Sequence, residues 1–260
     1  MMNEPYVSTQ ISVLKTDRRL IAFYDKLKTA DVTRYAQLHA DGEYYENNRK
    51  ARSLIGLRLL DYSNGTGDRT VSVYANVSPD TLEFIFTRLC AGVPEFSFYQ
   101  DKIFGEQDQG GYSQVTRLSI IRATVTPNGQ PRRIPWIISV DNGKGIAVKN
   151  PNGGSYMKKG SFHSNAKIEI SLTDADMFHV LNRVVRYIHA WEGAIAPNLI
   201  VSGKDALQNA LSQRQNNGGA AYNGYTDSYG GNYDNSYSGN YSDNYGNGYD
   251  NGYNPDFNAA

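Results

Sequence analysis

The sequence predicts an α+β fold of two tandem ββββα units, with two antiparallel sheets and a disordered C-terminal tail. Residues 71–89 and 167–185 share one pattern, in which an alternating strand runs into a Ser or Thr and then into an amphipathic helix. Asn-Gly pairs between apolar runs predict hairpins, because both residue types tolerate the positive φ of a type I′ turn. Beyond Gln215 the chain has no Leu, Ile, Val, Met or Trp, so no core can form there to offset the ordering entropy.

The first unit, about residues 8–92, is predicted to contain two hairpins. The segments "STQISVLK" and "RRLIAFYDK" flank a tight turn at Thr16-Asp17, and "SLIGLRLLDY" and "RTVSVYANV" flank Asn64-Gly65. Between the two hairpins lies a polar insert, roughly residues 29–50, which is either a helix or a long loop.

The second unit, about residues 112–195, is predicted to be an antiparallel meander that ends in a helix. "YSQVTRLSIIRATV" is closed by Asn128-Gly129, and "RRIPWIISV" is closed by Asn142-Gly143. "GIAVK" then leads through a long loop into "AKIEISL". The aromatic-rich segment "EFSFYQDKIF" (95–104) joins the two units, and we expect it to plug the space between the sheets rather than to stack on bases.

Both predicted helices begin at good N-caps. Ser78 is followed by Pro79 at the first helical position, and Thr173 forms a capping-box variant with Asp176. The second helix is expected to end in an aromatic residue and Gly. The two units together are predicted to make one domain over residues 1–200.

The charge of the chain is divided between the body and the tail. All 26 Lys and Arg lie at or before Arg214, whereas five of the 26 acidic residues lie beyond it, so the body is net +5 and the tail net −5. A mildly basic body with an acidic appendage favours a polyanion-binding surface for which the tail competes. A solubilising tail on an ordinary domain explains the same numbers.

Cysteine usage and hydropathy indicate the cellular setting. Cys90 is the only cysteine, which excludes a disulfide framework and predicts that the protein works in a reducing cell interior. Its context "FTRLCAGV" predicts a buried thiol. The sequence has neither an apolar run of transmembrane length nor an export signal. We therefore expect a soluble cytoplasmic protein with no membrane partner, associated with the nucleoid if it is bacterial.

The residues do not suggest an enzyme. The four histidines (His39, His163, His179 and His189) lie far apart in sequence and have no companions at zinc-ligand spacing. Asp174 and Asp176 open a helix, where capping explains them better than acid–base catalysis. We predict no catalytic residues, no metal and no cofactor.

Cations and aromatic rings alternate in the body, and this combination is typical of single-strand binding, in which cations contact phosphates and rings stack on bases. The first candidates lie in the loop after Lys149, which carries Tyr156, Lys158, Lys159 and Phe162. The other candidates in the second unit are cations on the meander: Arg117, Arg122, Arg132, Arg133, Lys144 and Lys149. Those in the first unit are Arg18, Arg19, Arg52, Arg58, Tyr62 and Tyr74. For each of them, a merely solvated surface position is the alternative.

Two consecutive ββββα units that each end in a capped amphipathic helix resemble the Whirly family of single-stranded-DNA-binding proteins. The resemblance lies in "KIEISLTDADMFHVLNRVVRYIHAWEG" and "RRIPWIISVDNGKGIAV", and covers about residues 8–195. It implies two nearly perpendicular sheets with helices on one side, a homo-tetramer, and single strands lying along sheet edges. The plant members' Lys-Gly-Lys-Ala-Ala-Leu motif is replaced here by "KTDRRLIAF" (15–23), so the higher-order assembly that depends on it is not expected.

The tail, residues 215–260, carries a tyrosine at nearly every fourth position, nine between Tyr222 and Tyr253. Spaced aromatics in an Asn/Gly-rich setting favour many weak contacts with other tails, bases or partners. The end of the chain resembles the acidic–aromatic tip of bacterial single-strand-binding proteins. The candidate partner-binding residues are Tyr249, Tyr253, Pro255, Asp256 and Phe257.

These observations together predict a largely sequence-independent single-stranded DNA-binding protein of replication, recombination or repair. Its tail is expected to recruit replication or recombination proteins or to drive self-association. Two alternatives stay open: a self-associating scaffold, for example viral, and a single-stranded RNA-binding protein.

Overall fold

The computed structural model describes residues 7–151 and 154–216. In these residues the chain forms an α+β fold with four antiparallel sheets and two α-helices. The strands are β1 (Gln10–Lys15), β2 (Arg19–Lys26), β3 (Asp41–Glu46), β4 (Arg49–Arg52), β5 (Leu54–Asp61), β6 (Val71–Val77), β7 (Glu95–Phe104), β8 (Ser113–Ala123), β9 (Trp136–Gly145), β10 (Ala147–Lys149), β11 (Ser155–Met157) and β12 (His163–Leu172). The helices are α1 (Pro79–Cys90) and α2 (Asp174–Asn216).

Sheet 1 has the strand order β1-β2-β5-β6. Its first hairpin closes where the Thr16 N–H donates to the Arg19 carbonyl at 2.8 Å, as the sequence predicts. Its last hairpin, β5–β6, turns through Asn64-Gly65, where Gly65 has a φ of +114°, and then through a short 3₁₀ helix (Gly67–Arg69). Both predicted turns of the first unit are thus confirmed.

The polar insert contains the hairpin β3–β4, so the expectation of a helix or a long loop is wrong. Asn47 and Asn48 close this hairpin with φ values of 49° and 59°. Asparagine tolerates this left-handed region better than most residues, which is why an Asn-Asn pair can make a two-residue turn.

Sheet 2 has the strand order β12-β9-β8-β7. Segment 95–104 is therefore the edge strand of this sheet and not a separate plug between units. The predicted turn at Asn142-Gly143 is also wrong, because β9 continues through Gly145. A Cβ at Gly143 would lie 2.1 Å from the His163 carbonyl oxygen, so glycine serves close approach of β12 at this position rather than a turn.

The expected count of four strands before each helix is not confirmed. Within the described residues, six strands precede α1 and six lie between α1 and α2, because each half contains an additional two-stranded sheet. In the second half this additional sheet is β10–β11, formed from "GIAVK" and the loop that follows it.

The predicted helix caps are confirmed. Ser78 Oγ accepts from the Thr81 N–H at 3.3 Å, and Thr173 and Asp176 bond reciprocally, with Thr173 Oγ1 accepting from the Asp176 N–H at 3.1 Å. However, α2 does not end near residue 195. It continues through Gly193 and Pro197 to Asn216, and the insert covers it at Gly203, which packs beside Val32 and Tyr35.

One hydrophobic core lies between the two sheets and the helices. Trp136 and Phe23 are among its largest buried side chains, and the inward residues of α2, such as Met177 and Leu181, complete it. Cys90, the last residue of α1, is exposed, contrary to expectation. Leu89 takes the inward position instead, and the next residue is rotated about 100° away from the core.

Sheet 1 is joined to sheet 2 through the free edge of β6. The Asn142 side chain accepts from the Tyr74 N–H and donates to the Tyr74 carbonyl, both at 2.8 Å. The next outward-facing carbonyl, that of Asn76, accepts from Gln100 Nε2 at 3.1 Å and Lys102 Nζ at 3.0 Å. Because Asn142 lies on β9 and Lys102 on β7, β6 runs across the strands of sheet 2.

The tyrosine-rich tail, including Tyr249, Tyr253, Pro255, Asp256 and Phe257, lies outside the described residues, and its predicted disorder stays a prediction. In the described part of the chain, no helix combines the length and the apolar character needed to cross a membrane.

We predict that Asn142→Ala destabilises the protein by about 1–3 kcal/mol, because it removes two hydrogen bonds to the Tyr74 backbone and one to the Thr116 hydroxyl, each contributing about 0.5–1.5 kcal/mol. Urea denaturation measures the change. Asn165→Ala, at an exposed position of β12, is the matched control and should lose less than about 0.5 kcal/mol. Equal effects of both substitutions would show that the β6 junction is not specific.

Candidate nucleic-acid interface

A cleft of about 710 Å³ lies where β6 meets sheet 2. We call it the intersheet cleft. Residues from both halves of the chain line it: Arg52, Leu54, Asn76, Asp101, Lys102, Ile103, Phe104, Thr116, Gly154, Ser155, Tyr156 and Met157. Residues from both halves meet here because β6 crosses sheet 2, which leaves the ends of β7 and β11 facing the start of β5.

Two aromatic rings border the intersheet cleft and face solvent. Tyr156 on β11 is 56% exposed, and Phe104 at the end of β7 is 44% exposed. Exposed rings are costly to leave in water but provide flat faces on which unpaired bases stack. Tyr156 was predicted from sequence; Phe104 was not.

Two cations lie inside the intersheet cleft with little negative charge to balance them. Arg52 is exposed and its guanidinium lies 3.9 Å from Asp41, at the outer limit of an ion pair. Burial lowers the pKa of Lys102, and the positive charge of Arg52 lowers it further. The carboxylate of Asp101 is directed to Arg117, at 3.2 Å from its Nε. Arg52 and Lys102 thus place two positive charges in the cleft, while the acid beside them, Asp101, is paired with Arg117.

The outer face of sheet 1 continues from this cleft. On β6, Asn76 and Tyr74 point to the same face, opposite the buried Val73, Ala75 and Val77. Lys26 Nζ donates to Asn76 Oδ1 at 3.0 Å, and burial lowers the pKa of Lys26.

Farther along the same face, Arg58 pairs in register with Tyr74, which is 50% exposed. Arg58 Nε donates to Ser72 Oγ at 2.9 Å, which holds its guanidinium on the surface without neutralising its charge. The structure thus brings Arg58 and Tyr74, both predicted from sequence, onto a face that leads into the intersheet cleft.

The β10–β11 hairpin carries the predicted loop cations. Lys149 ends β10, and Lys158 and Lys159 follow β11 directly; all three are exposed. They lie close in sequence to Tyr156, and Lys149 pairs in register with Ser155, but none of the three lines the cleft itself.

Other residues predicted to bind nucleic acid lie on the outer face of sheet 2, but their charges contact neighbouring side chains of the protein. The Arg117 guanidinium lies 4.2 Å from the centroid of the Phe162 ring, in addition to its contact with Asp101. Lys144 Nζ donates to Asp108 Oδ2 at 2.7 Å, and this bond is the main cause of the lowered pKa of Asp108. These charges are largely neutralised within the protein.

Arg122 is not accessible, which contradicts its prediction as a surface cation. Its side chain is 10% exposed and forms a two-pronged pair with Asp174, Nε to Oδ1 at 3.0 Å and Nη2 to Oδ2 at 2.9 Å. The Trp136 indole N–H also donates to Asp174 at 2.7 Å, which agrees with the expected core role of Trp136. Arg122 therefore anchors the start of α2 to sheet 2.

The remaining candidates lie away from the cleft. Arg18 and Arg19 occupy the β1–β2 turn, where Arg19 Nε pairs with Asp61 at 3.0 Å. Tyr62 lies 5.6 Å from Lys15 Nζ in a cation–π contact. Arg132 and Arg133 lie in the β8–β9 loop, at the opposite end of that hairpin from Thr116.

Sequence reasoning missed Lys26, Lys102 and Phe104. For Lys102 and Phe104, the alternation of side chains along β7 was the available signal. Every second residue lies on one face of a strand, so Gln100, Lys102 and Phe104 share the face on which Phe96 and Phe98 pack against the core. Knowing that this face meets β6 required the tertiary arrangement.

Comparisons with known proteins identify no family. No family model matches the chain, and no curated protein matches it. A solved structure described as "Structure of the plant transcriptional regulator PBF-2" is similar with a TM-score of 0.37 and 13% identity, over 75% of this chain and 89% of that chain. We draw no functional conclusion from similarity at this level.

We predict that Asp174→Asn lowers stability at neutral pH by roughly 2 kcal/mol, because it leaves the Arg122 charge without its carboxylate. The Arg122 hydrogen bonds lower the pKa of Asp174 below its unfolded value, so the ionised form stabilises the fold. That contribution is fully present above about pH 4 and is lost as the pH falls through the lowered pKa.

Urea denaturation of both proteins between pH 7 and pH 2.5 tests this prediction. The stability difference should be largest at neutral pH and should close in acid. Asp80→Asn, in the first turn of α1, is the control and should show a small difference at every pH. A gap for Asp174→Asn that stays constant in acid would contradict the assigned role of its charge.

Proposed function

We propose that the protein binds single-stranded nucleic acid, with DNA favoured over RNA, in the intersheet cleft and along the adjoining face of sheet 1. The observation that carries this proposal is the cleft itself, in which Arg52 and Lys102 lie beside the exposed rings of Tyr156 and Phe104. Cations without a close acidic partner among the described residues, set beside partly exposed rings, are what a single strand requires.

The binding mode follows from the chemistry of these groups. The phosphates contact Arg52 and Lys102 in the cleft, and Lys158 and Lys159, which directly follow Tyr156 and Met157 in sequence, extend the contact. The bases stack on Tyr156 and Phe104, and farther along sheet 1 on Tyr74. Every base offers a π-face, so stacking of this kind is largely independent of sequence.

The wider role is part of the proposal. A sequence-independent single-strand binder without catalytic function is suited to replication, recombination or repair in the cytoplasm. The acidic tail would recruit partner proteins of those processes, and a homo-oligomer, by the Whirly resemblance a tetramer, would align several clefts.

A second candidate function is assembly as a scaffold. The far part of α2 exposes Ile200, Leu207 and Leu211, which recur at helical spacing on one face. Self-association through this face and the tail would explain the chain without nucleic acid.

Titration of fluorescent oligonucleotides at several salt concentrations tests the proposed function. We expect the logarithm of the binding constant to fall linearly with that of the salt concentration, with a slope of about −0.7 per phosphate contacted. Single-stranded DNA should bind more tightly than duplex DNA and single-stranded RNA. An RNA preference would select the RNA alternative, and no binding at low salt together with concentration-dependent assembly would select the scaffold.

Substitutions in the cleft test whether the single strand binds there. Tyr156→Ala should weaken binding by roughly 5- to 150-fold, from a stacking contribution of about 1–3 kcal/mol per base. Arg52→Gln should reduce the salt slope by about 0.7. Tyr35→Ala and Lys204→Gln, both exposed and outside the cleft lining, are the matched controls. Equal losses in the controls would place the site elsewhere.

Removal of the tail tests its competition for the basic surface. A variant ending at Asn216 loses the net −5 of the acidic residues and should bind single-stranded DNA more tightly at low salt, with the difference vanishing at high salt. It should also form fewer clusters, as measured by light scattering. Unchanged affinity and clustering would remove both roles of the tail.

A further inference from the structure

Three potential metal ligands converge where α1 meets α2. Glu83 of α1 and His189 and Glu192 of α2 each place one ligand atom within 4.8 Å of the others. His189 Nε2 lies 2.9 Å from Glu83 Oε1. His189 and Glu192 are three residues apart, so they lie on one face of the helix, as in metal sites built between facing helices.

The two carboxylates of this cluster are paired with imidazoles rather than with permanently charged side chains. Two carboxylates share it, and among the side chains of residues 7–151 and 154–213 no lysine or arginine forms an ion pair with either of them; their partners are the imidazoles of His189 and His39. Carboxylates at such a distance repel one another unless a cation lies between them. A bound metal ion would supply the missing positive charge.

A second histidine holds Glu192 in place. His39 Nε2 lies 2.8 Å from Glu192 Oε1, while its Nδ1 lies 2.7 Å from Ser53 Oγ. The His39 ring also stacks on Trp191, with the centroids 5.0 Å apart. Outer contacts of this kind commonly fix the ligands of a metal.

Against the sequence-based expectation of no metal, we propose that Glu83, His189 and Glu192 bind a divalent transition-metal ion, with Zn²⁺ the best match, and that His39 positions Glu192. One imidazole and two carboxylates suit zinc rather than magnesium, which avoids nitrogen ligands. At metal–ligand distances of about 2.1 Å the ligand atoms of a tetrahedral site are roughly 3.4 Å apart, so closing the cluster requires small side-chain rotations.

The site is accessible to an ion from solvent. The His189 side chain is 58% exposed and the Glu192 side chain 28% exposed. The fourth position is open to water. Because its ligands come from both helices, the ion would clamp α1 to α2, and it would stabilise the folded state rather than act in catalysis.

Isothermal titration of the full-length, tag-free, chelator-treated protein with Zn²⁺ tests the proposal. We expect one ion per chain and a Tm that rises by roughly 5–10 °C at a free Zn²⁺ concentration 100 times the Kd. Mg²⁺ at the same concentration should not raise the Tm. The tail has no His or Cys beyond Arg214, so it offers no imidazole or thiolate to compete.

Variants assign the site. Glu83→Gln, His189→Gln and Glu192→Gln should each abolish the stoichiometric Zn²⁺ binding, and His39→Phe should weaken it by about 10- to 100-fold. His179→Gln, an exposed histidine on the same helix, is the matched control and should bind like the wild type.

Two results would overturn the proposal. One is the absence of stoichiometric Zn²⁺ binding by the folded wild type, which would leave the cluster as ion pairs only. The other is binding that survives in the three ligand variants or is lost equally in His179→Gln. Circular dichroism of every variant without metal separates a lost ligand from a lost fold.

Discussion

The arrangement of the molecule depends on how the edge of β6 is satisfied. An edge strand presents unpaired N–H and C=O groups, and burying them without partners would cost free energy at each group. Here they meet one row of side chains across sheet 2, in which Asn142 bonds to both groups of Tyr74, and Lys102 bonds to the Asn76 carbonyl. Because that row runs perpendicular to the strands of sheet 2, the contact fixes the crossing of the two sheets and with it the shape of the intersheet cleft.

The same crossing explains why the charged groups differ in their availability. Arg122 lies on the inner face of β8 and forms an ion pair with Asp174. Arg117 lies on the outer face and contacts Asp101 and Phe162. Arg52 lies beyond the sheet contact, at the end of β4, and has only a distant acid at 3.9 Å. Arg52 is therefore left more available to an outside anion than Arg117 or Arg122, although the complete chain is neutral.

Local signals in the sequence were sufficient for the turn at Thr16 and for the caps at Ser78 and Thr173, since each depends on residues within four positions. They failed at Asn142-Gly143, because the sequence of an Asn-Gly pair does not show whether the pair forms a turn. Here Asn142 instead bonds to the distant strand β6, and Gly143 allows β12 to approach closely. They also failed to separate Arg122 from the surface arginines or to find Lys102, because burial and the approach of β6 are tertiary properties. For the candidate site, residue types were predictable and their convergence was not.

The proposed binding of a polyanion would relieve an electrostatic cost at Lys102. Its ammonium group is partly desolvated by its role at the β6 edge and lies near the charge of Arg52, and both effects lower its pKa. Each effect disfavours the charged form of the folded protein, yet the lysine is required there to bond to Asn76. A phosphate entering the cleft would offset both at once, because it stabilises the ammonium and screens it from Arg52. The group that holds the sheets together is thus also the group whose electrostatic cost a nucleic-acid backbone would relieve.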